Sequence, residues 1–341
     1  MAKRWVQRPD GSTWGDWGDD DERGRVNLLT PERIKAAAAE VKEGLAFCLS
    51  MPLNLPGGNT VNPKRFPPKF GIVNHPPGSD GVYYNMVWHE HQPGNMDVSC
   101  DEYTVLYNQY STQWDSFAHV GSMFDADADG NPEPRYYNGF QPGVDVKGPD
   151  DPNGMGARKL SVAGMAEAGM QGRGVLLDMV PHIGTGRTSV GYDLLMRMLD
   201  ADKIAVEEGD FFLFHTGWDD LLFEMNGQPD AAKLHASGGV LDGFDDKLLN
   251  WITDSGVVAL ISDNIAIENL HGYGETHGGC SRLPIHRHCL FRLGVHLGEL
   301  WHLSVLAAAL RARGRSRFLL TAPPLRLPGA VGSPATPIAT I

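Results

Sequence analysis

The chain is short of thiols, of excess positive charge and of long apolar runs, and each shortage removes a class of function. Its four cysteines, Cys48, Cys100, Cys280 and Cys289, include no C-x-x-C pair. A disulfide framework and a thiolate zinc site are therefore not expected. Cys280 and Cys289 flank a polar cluster described below, and the simplest reading of both is as small buried hydrophobes. Acids outnumber bases to give a formal net charge of −13. Such a balance argues against nucleic acid or an anionic membrane surface as a partner. No apolar run is long enough to span a bilayer, and Met1-Ala2-Lys3-Arg4-Trp5 lacks the apolar core of a secretory signal, so the expected compartment is the cytoplasm. No internal repeat is present.

What is there is a globular composition, 42% hydrophobic and 21% charged over 341 residues. This length suits one large domain or two ordinary ones. Residues 9–29 are polar and rich in Gly and Asp, but Trp14 and Trp17 within them suggest an arm folded back on the body. Thr30-Pro31-Glu32 predicts a helix start, with a hydroxyl cap, Pro in the first turn and an acid favoured by the dipole. The Ala-rich helix should run to about Glu43 and stop before Gly44. Residues 52–100 read as loops and short strands, with a strand over Gly81–Trp88. The run Asp125-Ala126-Asp127-Ala128-Asp129-Gly130 resembles the start of an EF-hand loop, but Tyr136 stands where the closing acid belongs, so it reads as a solvated turn.

From residue 160 the pattern changes. Helical stretches over Leu160–Met170, Asp242–Thr253 and Trp301–Arg313 alternate with short apolar runs at Gly174–Val180, Phe211–Phe214, Val257–Ile261 and Phe318–Thr321. Alternation of this kind predicts βα units with helices covering a core sheet. The two polar clusters lie one in the loop-rich first third and one in the α/β remainder. A single domain over 1–341 is therefore expected, with an N-terminal arm of about 1–30 and a Pro-rich tail of about 322–341.

The first cluster is Ser111-Thr112-Gln113-Trp114-Asp115-Ser116-Phe117-Ala118-His119. It sets a carboxylate four residues from an imidazole. The pair shares a face if the segment is helical, and a loop can also converge it. The second is Pro284-Ile285-His286-Arg287-His288, followed by Glu299. Such groups ligate metals or move protons. His286 and His288, two residues apart, share a face only on an extended segment, so one of them is expected to serve the site. Glu299 could alternatively cap the helix that follows. Gln109 and Gln113 offer amide clamps for a substrate, and Trp88, Trp114 and Phe117 offer apolar walls. Asp263-Asn264, at the end of a strand, is a pocket position in an α/β sheet or an ordinary turn.

These segments resemble the kynurenine formamidase-like cyclase family of metal-dependent hydrolases, whose signature reads H-x-G-T-H-x-D-x-P-x-H. Thr112, Asp115 and His119 fall on its Thr, its Asp and its last His. Pro284-Ile285-His286, Gly294 and Glu299 resemble the family's later P-x-H…G-x-x-x-x-E segment. The opening Trp17–Thr30 stretch, Ser262-Asp263-Asn264 and Gly332-Ser333-Pro334 look like the longer bacterial and fungal branch. The resemblance implies a swivelling β/β/α fold, a homodimer or homotetramer, and hydrolysis of small cyclic or linear amides or lactones. It also implies one divalent ion, zinc or manganese, held by Asp115, His286 and Glu299, with His119 as acid/base. Gln109 and Gln113 stand where the signature has histidines, which removes two imidazoles from a two-metal site. Gln109, Gln113, Trp88, Trp114, Phe117 and His288 are the expected substrate contacts, with His288 a substitute for His286. The alternatives are a lyase or cyclase acting on a small ring, and a metal-free ligand-binding relative.

Overall fold

The computed structural model describes residues 3–74, 82–269 and 281–341. Nine strands form one curled sheet: β1 (Ala46–Cys48), β2 (Gln113–Asp115), β3 (Gln171–Asp178), β4 (Phe211–His215), β5 (Ala259–Ser262), β6 (His296–Glu299), β7 (Arg317–Thr321), β8 (Gly332–Pro334) and β9 (Ile338–Thr340). Their spatial order is β1-β9-β7-β3-β4-β5-β6-β2-β8. The run β3-β4-β5-β6 is parallel, and the flanking pairings are antiparallel.

The apolar runs become strands because both faces of the sheet are covered, which removes any need for a polar alternation. Phe212 and Phe214 enter one core, against Leu195 and Leu199 of helix α3 (Tyr192–Ala201) and Leu248 and Ile252 of α4 (Asp246–Ser255). Phe211 and Leu213, one residue out of phase, enter the opposite core. There they join Val162 and Met165 of α2 (Val162–Ala168) and Leu306 and Leu310 of α5 (Ser304–Ala312). The mixed α/β class read from the sequence is the class observed.

The N-terminal arm does fold back. Trp14 is fully buried and donates its indole N–H to the Phe291 carbonyl at 2.7 Å. Arg25 is buried too, and its guanidinium donates to the carbonyls of Ile252 and Thr253 in the last turn of α4, where a cation is favoured. Gly24 and Gly294 have positive φ and touch through their backbones, since a Cβ on Gly24 would lie 2.3 Å from the Gly294 carbonyl oxygen. Thr30 caps helix α1 (Pro31–Ala38) by accepting from the Arg33 N–H.

Three expectations need correction, and one open alternative is decided. Helix α1 ends at Ala38, not near Glu43, because the chain must turn to deliver Ala46 to the sheet edge. The strand expected over Gly81–Trp88 is confined to Met86–Val87 and gives way to a 3-10 turn at Trp88–Glu90; Gly81 itself lies outside the described residues. Asp115 and His119 are not on a helix: Asp115 ends β2, and a turn carries His119. The Pro-rich stretch from 322 is no tail, because β8 pairs with β2, β9 lies between β1 and β7, and Ile341 is fully buried.

Candidate active site

The site grows from the register of β2 on β6. Gln113 lies opposite Glu299, and Asp115 opposite Leu297. Strand alternation sends Gln113 and Asp115 to one face and Trp114 to the other. Thr112 locks this register: its hydroxyl donates to the Leu300 carbonyl at 2.5 Å and accepts from the Met51 N–H at 2.8 Å. After β2 the turn closes with the His119 N–H on the Ser116 carbonyl, which swings His119 back beside Asp115. The second cluster arrives on a short helical turn, Pro284–His286, that opens a π-helix over Arg287–Leu293.

Asp115 Oδ2 is buried and has no hydrogen-bond partner. It lies 3.9 Å from His119 Nε2 and 3.9 Å from His286 Nε2. His286 Nε2 is 3.2 Å from Glu299 Oε1, while Glu299 Oε2 accepts from the Gln113 amide at 3.2 Å. Gln109 donates to Asp115 Oδ1 and lies 3.2 Å from His119 Nδ1. Folding thus brings together Gln109, Gln113, Asp115, His119, His286 and Glu299, from positions up to 190 residues apart.

Two residues that sequence reasoning missed complete the cluster. Glu268 accepts from His286 Nδ1 at 2.7 Å and from the backbone N–H groups of Ile285 and His286. This carboxylate fixes the imidazole plane and aims Nε2 inward, as outer partners of ligand histidines do. A single acid inside Ile265-Ala266-Ile267-Glu268 was a signal that could have found it. Arg65 donates to the Gln109 carbonyl and reaches Gln113 Oε1 at 3.4 Å; Asn62-Pro63-Lys64-Arg65 carries no comparable signal. Arg65 and Glu299 line a narrow cleft of about 20 Å³ with Val61, Gln109, Tyr110 and Ile265.

The electrostatics follow from burial. Desolvation alone would push the His286 imidazolium toward deprotonation, but Glu268 and Glu299 outweigh it and its pKa rises to about 10. Burial raises Glu299, and the His286 charge more than cancels that, so Glu299 lies below the usual carboxylate range. The donor set fits a divalent cation. An unpartnered buried carboxylate oxygen faces two imidazole nitrogens, with all three atoms within 4.8 Å of one another, and Glu299 stands alongside. Asp115, His286 and Glu299 would hold the ion, with His119 adjacent.

The other expected contacts lie elsewhere. Trp114 packs in the core at 5.1 Å from Trp301 and donates to the Ala322 carbonyl. Phe117 is buried behind the site, stacked on His296 at 4.0 Å. Trp88 donates to the Ser99 hydroxyl within an outlying hairpin. His288 is directed away from His286, with its Nε2 2.9 Å from the Thr253 hydroxyl, because residues two apart on a helical turn face opposite sides. Glu299 caps no helix; α5 begins at Ser304, and Asp219 accepts from the Leu303 and Ser304 N–H groups.

Asp263, read as a pocket or turn position, belongs to a second buried cluster. It accepts from the Thr216 and Trp218 N–H groups and the Thr216 hydroxyl. His215 sits between Asp178, 2.9 Å from Nδ1, and Asp219, 3.4 Å from Nε2. Asp219 and Asp263 are held by backbone donors and tie strand ends together, while His215 Nε2 has no hydrogen-bond partner among the described residues and the ligand atoms of His215, Asp219 and Asp263 lie within 4.8 Å of one another. The Asp125–Gly130 run is a turn in which Asp125 accepts from the Asp129 and Gly130 N–H groups.

Comparison with known proteins fits this arrangement. The family model named Cyclase matches residues 47–269. The chain belongs to the cyclase family. A crystal structure described as a novel cyclase is 30% identical to it, covers 97% of both chains and has a TM-score of 0.73. Cyclase-family likeness in fold extends to isatin hydrolase A from Labrenzia aggregata, at 12% identity, coverage of 89% of this chain and 94% of the other, and TM-score 0.52. An isatin hydrolase bound to the product analogue thioisatinate matches at 15% identity, 92% and 98% coverage, and TM-score 0.52. No curated protein matches. No helix among the described residues of this chain is long and apolar enough to cross a membrane.

Proposed function

We propose that this cyclase-family protein is a metal-dependent hydrolase of a small cyclic or linear amide, or a lactone, acting at the Asp115–His119–His286–Glu299 cluster. The observation that carries this reading is Asp115 Oδ2, buried without a hydrogen-bond partner and facing two imidazole Nε2 atoms. A buried carboxylate oxygen left in that state is costly unless a cation completes it. The isatin hydrolases among its fold neighbours supply the substrate class by analogy. A zinc or manganese ion bound there would polarise the scissile carbonyl and acidify water.

The chain's own groups do the rest. His119 is the partly exposed member of the cluster, at 22%. Gln109 lies 3.2 Å from its Nδ1 and steadies the ring. His119 takes a proton from the attacking water and delivers that same proton to the departing nitrogen or oxygen. Gln113 holds Glu299 in place, and Glu268 holds His286. Arg65 lies on the cleft wall, suited to the carboxylate that hydrolysis creates. The test is metal analysis of purified protein with an amide and lactone hydrolysis screen. Stoichiometric metal and turnover that both vanish in Asp115→Ala are expected. Turnover that survives in Asp115→Ala would discard the reading.

One observation favours a second reading, a metal-free ligand-binding relative. The His286 imidazolium bridges Glu268 and Glu299, so a proton can neutralise that side of the cluster. Absence of bound metal after growth with zinc and manganese, together with saturable ligand binding and no turnover, would select it.

A further inference from the structure

On the other side of the π-helix lies a second cleft, of about 400 Å³, that shares no residue with the first. Its apolar wall includes Phe124, Phe244, Pro284 and Phe291, and its polar groups include Arg287, His288 and Arg292. Three buried nitrogens in this wall, Arg287 Nε, His288 Nδ1 and Arg292 Nε, have no hydrogen-bond partner. His288 is only 5% exposed. The Thr253 hydroxyl gives its proton to the Leu249 carbonyl, so His288 Nε2 must donate to Thr253, and Nδ1 is left as an open acceptor. Arg292 spends one nitrogen on the Asp10 carbonyl. Burial, and after it the charge of Arg287, hold Arg292 below the usual guanidinium range, with Asp10 acting the other way. Arg287 and Arg292 thus set two guanidinium groups with unpartnered Nε donors on one wall. Buried donors of this kind are normally satisfied, so their state points to a missing anion.

We propose that this cleft is a ligand site, separate from the Asp115 site, for a small carboxylate with an apolar body. Arg287 and Arg292 take the carboxylate through charge-assisted hydrogen bonds. The phenylalanine rings and Pro284 cover the apolar part. His288 Nδ1 accepts an N–H or O–H from the ligand. The inference does not depend on the hydrolase reading, because it uses none of those residues.

The experiment is calorimetric titration of the protein as isolated with benzoate, and with benzamide as the neutral analogue. Saturable benzoate binding is expected, weakened by roughly tenfold or more in Arg287→Gln and in Arg292→Gln, the scale of one lost charge-assisted hydrogen bond. Benzamide should bind weaker by a similar factor. Asp115→Asn and His119→Ala should bind benzoate as the wild type does. Among the described residues no side chain is paired with Arg287, so Arg287→Gln is expected to fold normally by circular dichroism. Absence of saturable heat, binding as tight as wild type in both arginine variants, or binding lost in Asp115→Asn but kept in Arg287→Gln would each overturn the proposal.

Discussion

At the scale of single residues, the site depends on groups that act in pairs. His119→Ala should lower kcat by about 10²–10⁴, the usual contribution of a positioned acid/base, with unchanged circular dichroism and unchanged metal content. Loss of metal in that variant would make His119 a ligand instead. Glu268→Gln should weaken metal affinity by about 10- to 100-fold, because the imidazole it orients loses its anchor. A competition titration with a chromogenic chelator measures this. Metal affinity equal to wild type would reduce Glu268 to a cap for the Ile285 and His286 N–H groups. Asp115, His119 and His286 were legible from residue type and motif. Glu268 was not, because an acid's role depends on which imidazole lies beside it. The opposite error befell Trp114: its neighbours in sequence are in the site, but strand alternation sends it into the core.

At the scale of elements, the carboxyl ends of the parallel strands carry the chemistry. Asp178 ends β3, His215 ends β4, Asp263 follows β5 and Glu299 ends β6. This edge is where open α/β sheets gather ligands, yet only the β6 end forms the site. The β3–β5 end is held by His215. Burial alone would lower its pKa; the hydrogen bond to Asp178, the Asp219 carboxylate and the charge of Asp263 raise it to about 10. The folded pKa lies above the unfolded value of about 6.5. The stabilisation is therefore complete below pH 6.5 and is lost as pH rises through about 10. Urea unfolding midpoints should fall between pH 7 and 10.5 in the wild type and fall less in His215→Gln. Equal slopes would show that the cluster does not titrate as a unit. Helix and strand types in this half were legible because each run is apolar and bounded by Gly or Pro. Boundaries were not, since Ala38 and Met86 end their elements for reasons set by distant partners.

At the scale of the whole molecule, the segment between Arg65 and Gln109 projects as paired ribbons, Lys69–Ile72 with Glu102–Val105 and Met86–Val87 with Val98–Ser99. Phe70, Ile72, Met96, Val98, Tyr103 and Val105 are each between 47% and 87% exposed. The register sets Phe70 and Ile72 on one face of the first ribbon and Tyr103 and Val105 on the other, so the exposed apolar surface is divided between two faces. Ending the chain after Val331 should leave it insoluble or inactive. β8 and β9 would go with that deletion, and with them the partners of β2, β1 and β7.

By itself the sequence determined that this is an acidic α/β protein with helices over a core sheet, and that two distant polar clusters hold groups of metal-binding and proton-transfer type. Both follow from local chemistry: apolar runs bury themselves, and imidazoles beside carboxylates ligate or shuttle protons. Only the tertiary structure decided that His286 and not His288 faces Asp115, that Glu268 and Arg65 join them, and that the last ten residues close the sheet. Those outcomes depend on strand register and on which side chains meet across gaps of up to two hundred residues, and no local pattern encodes such meetings.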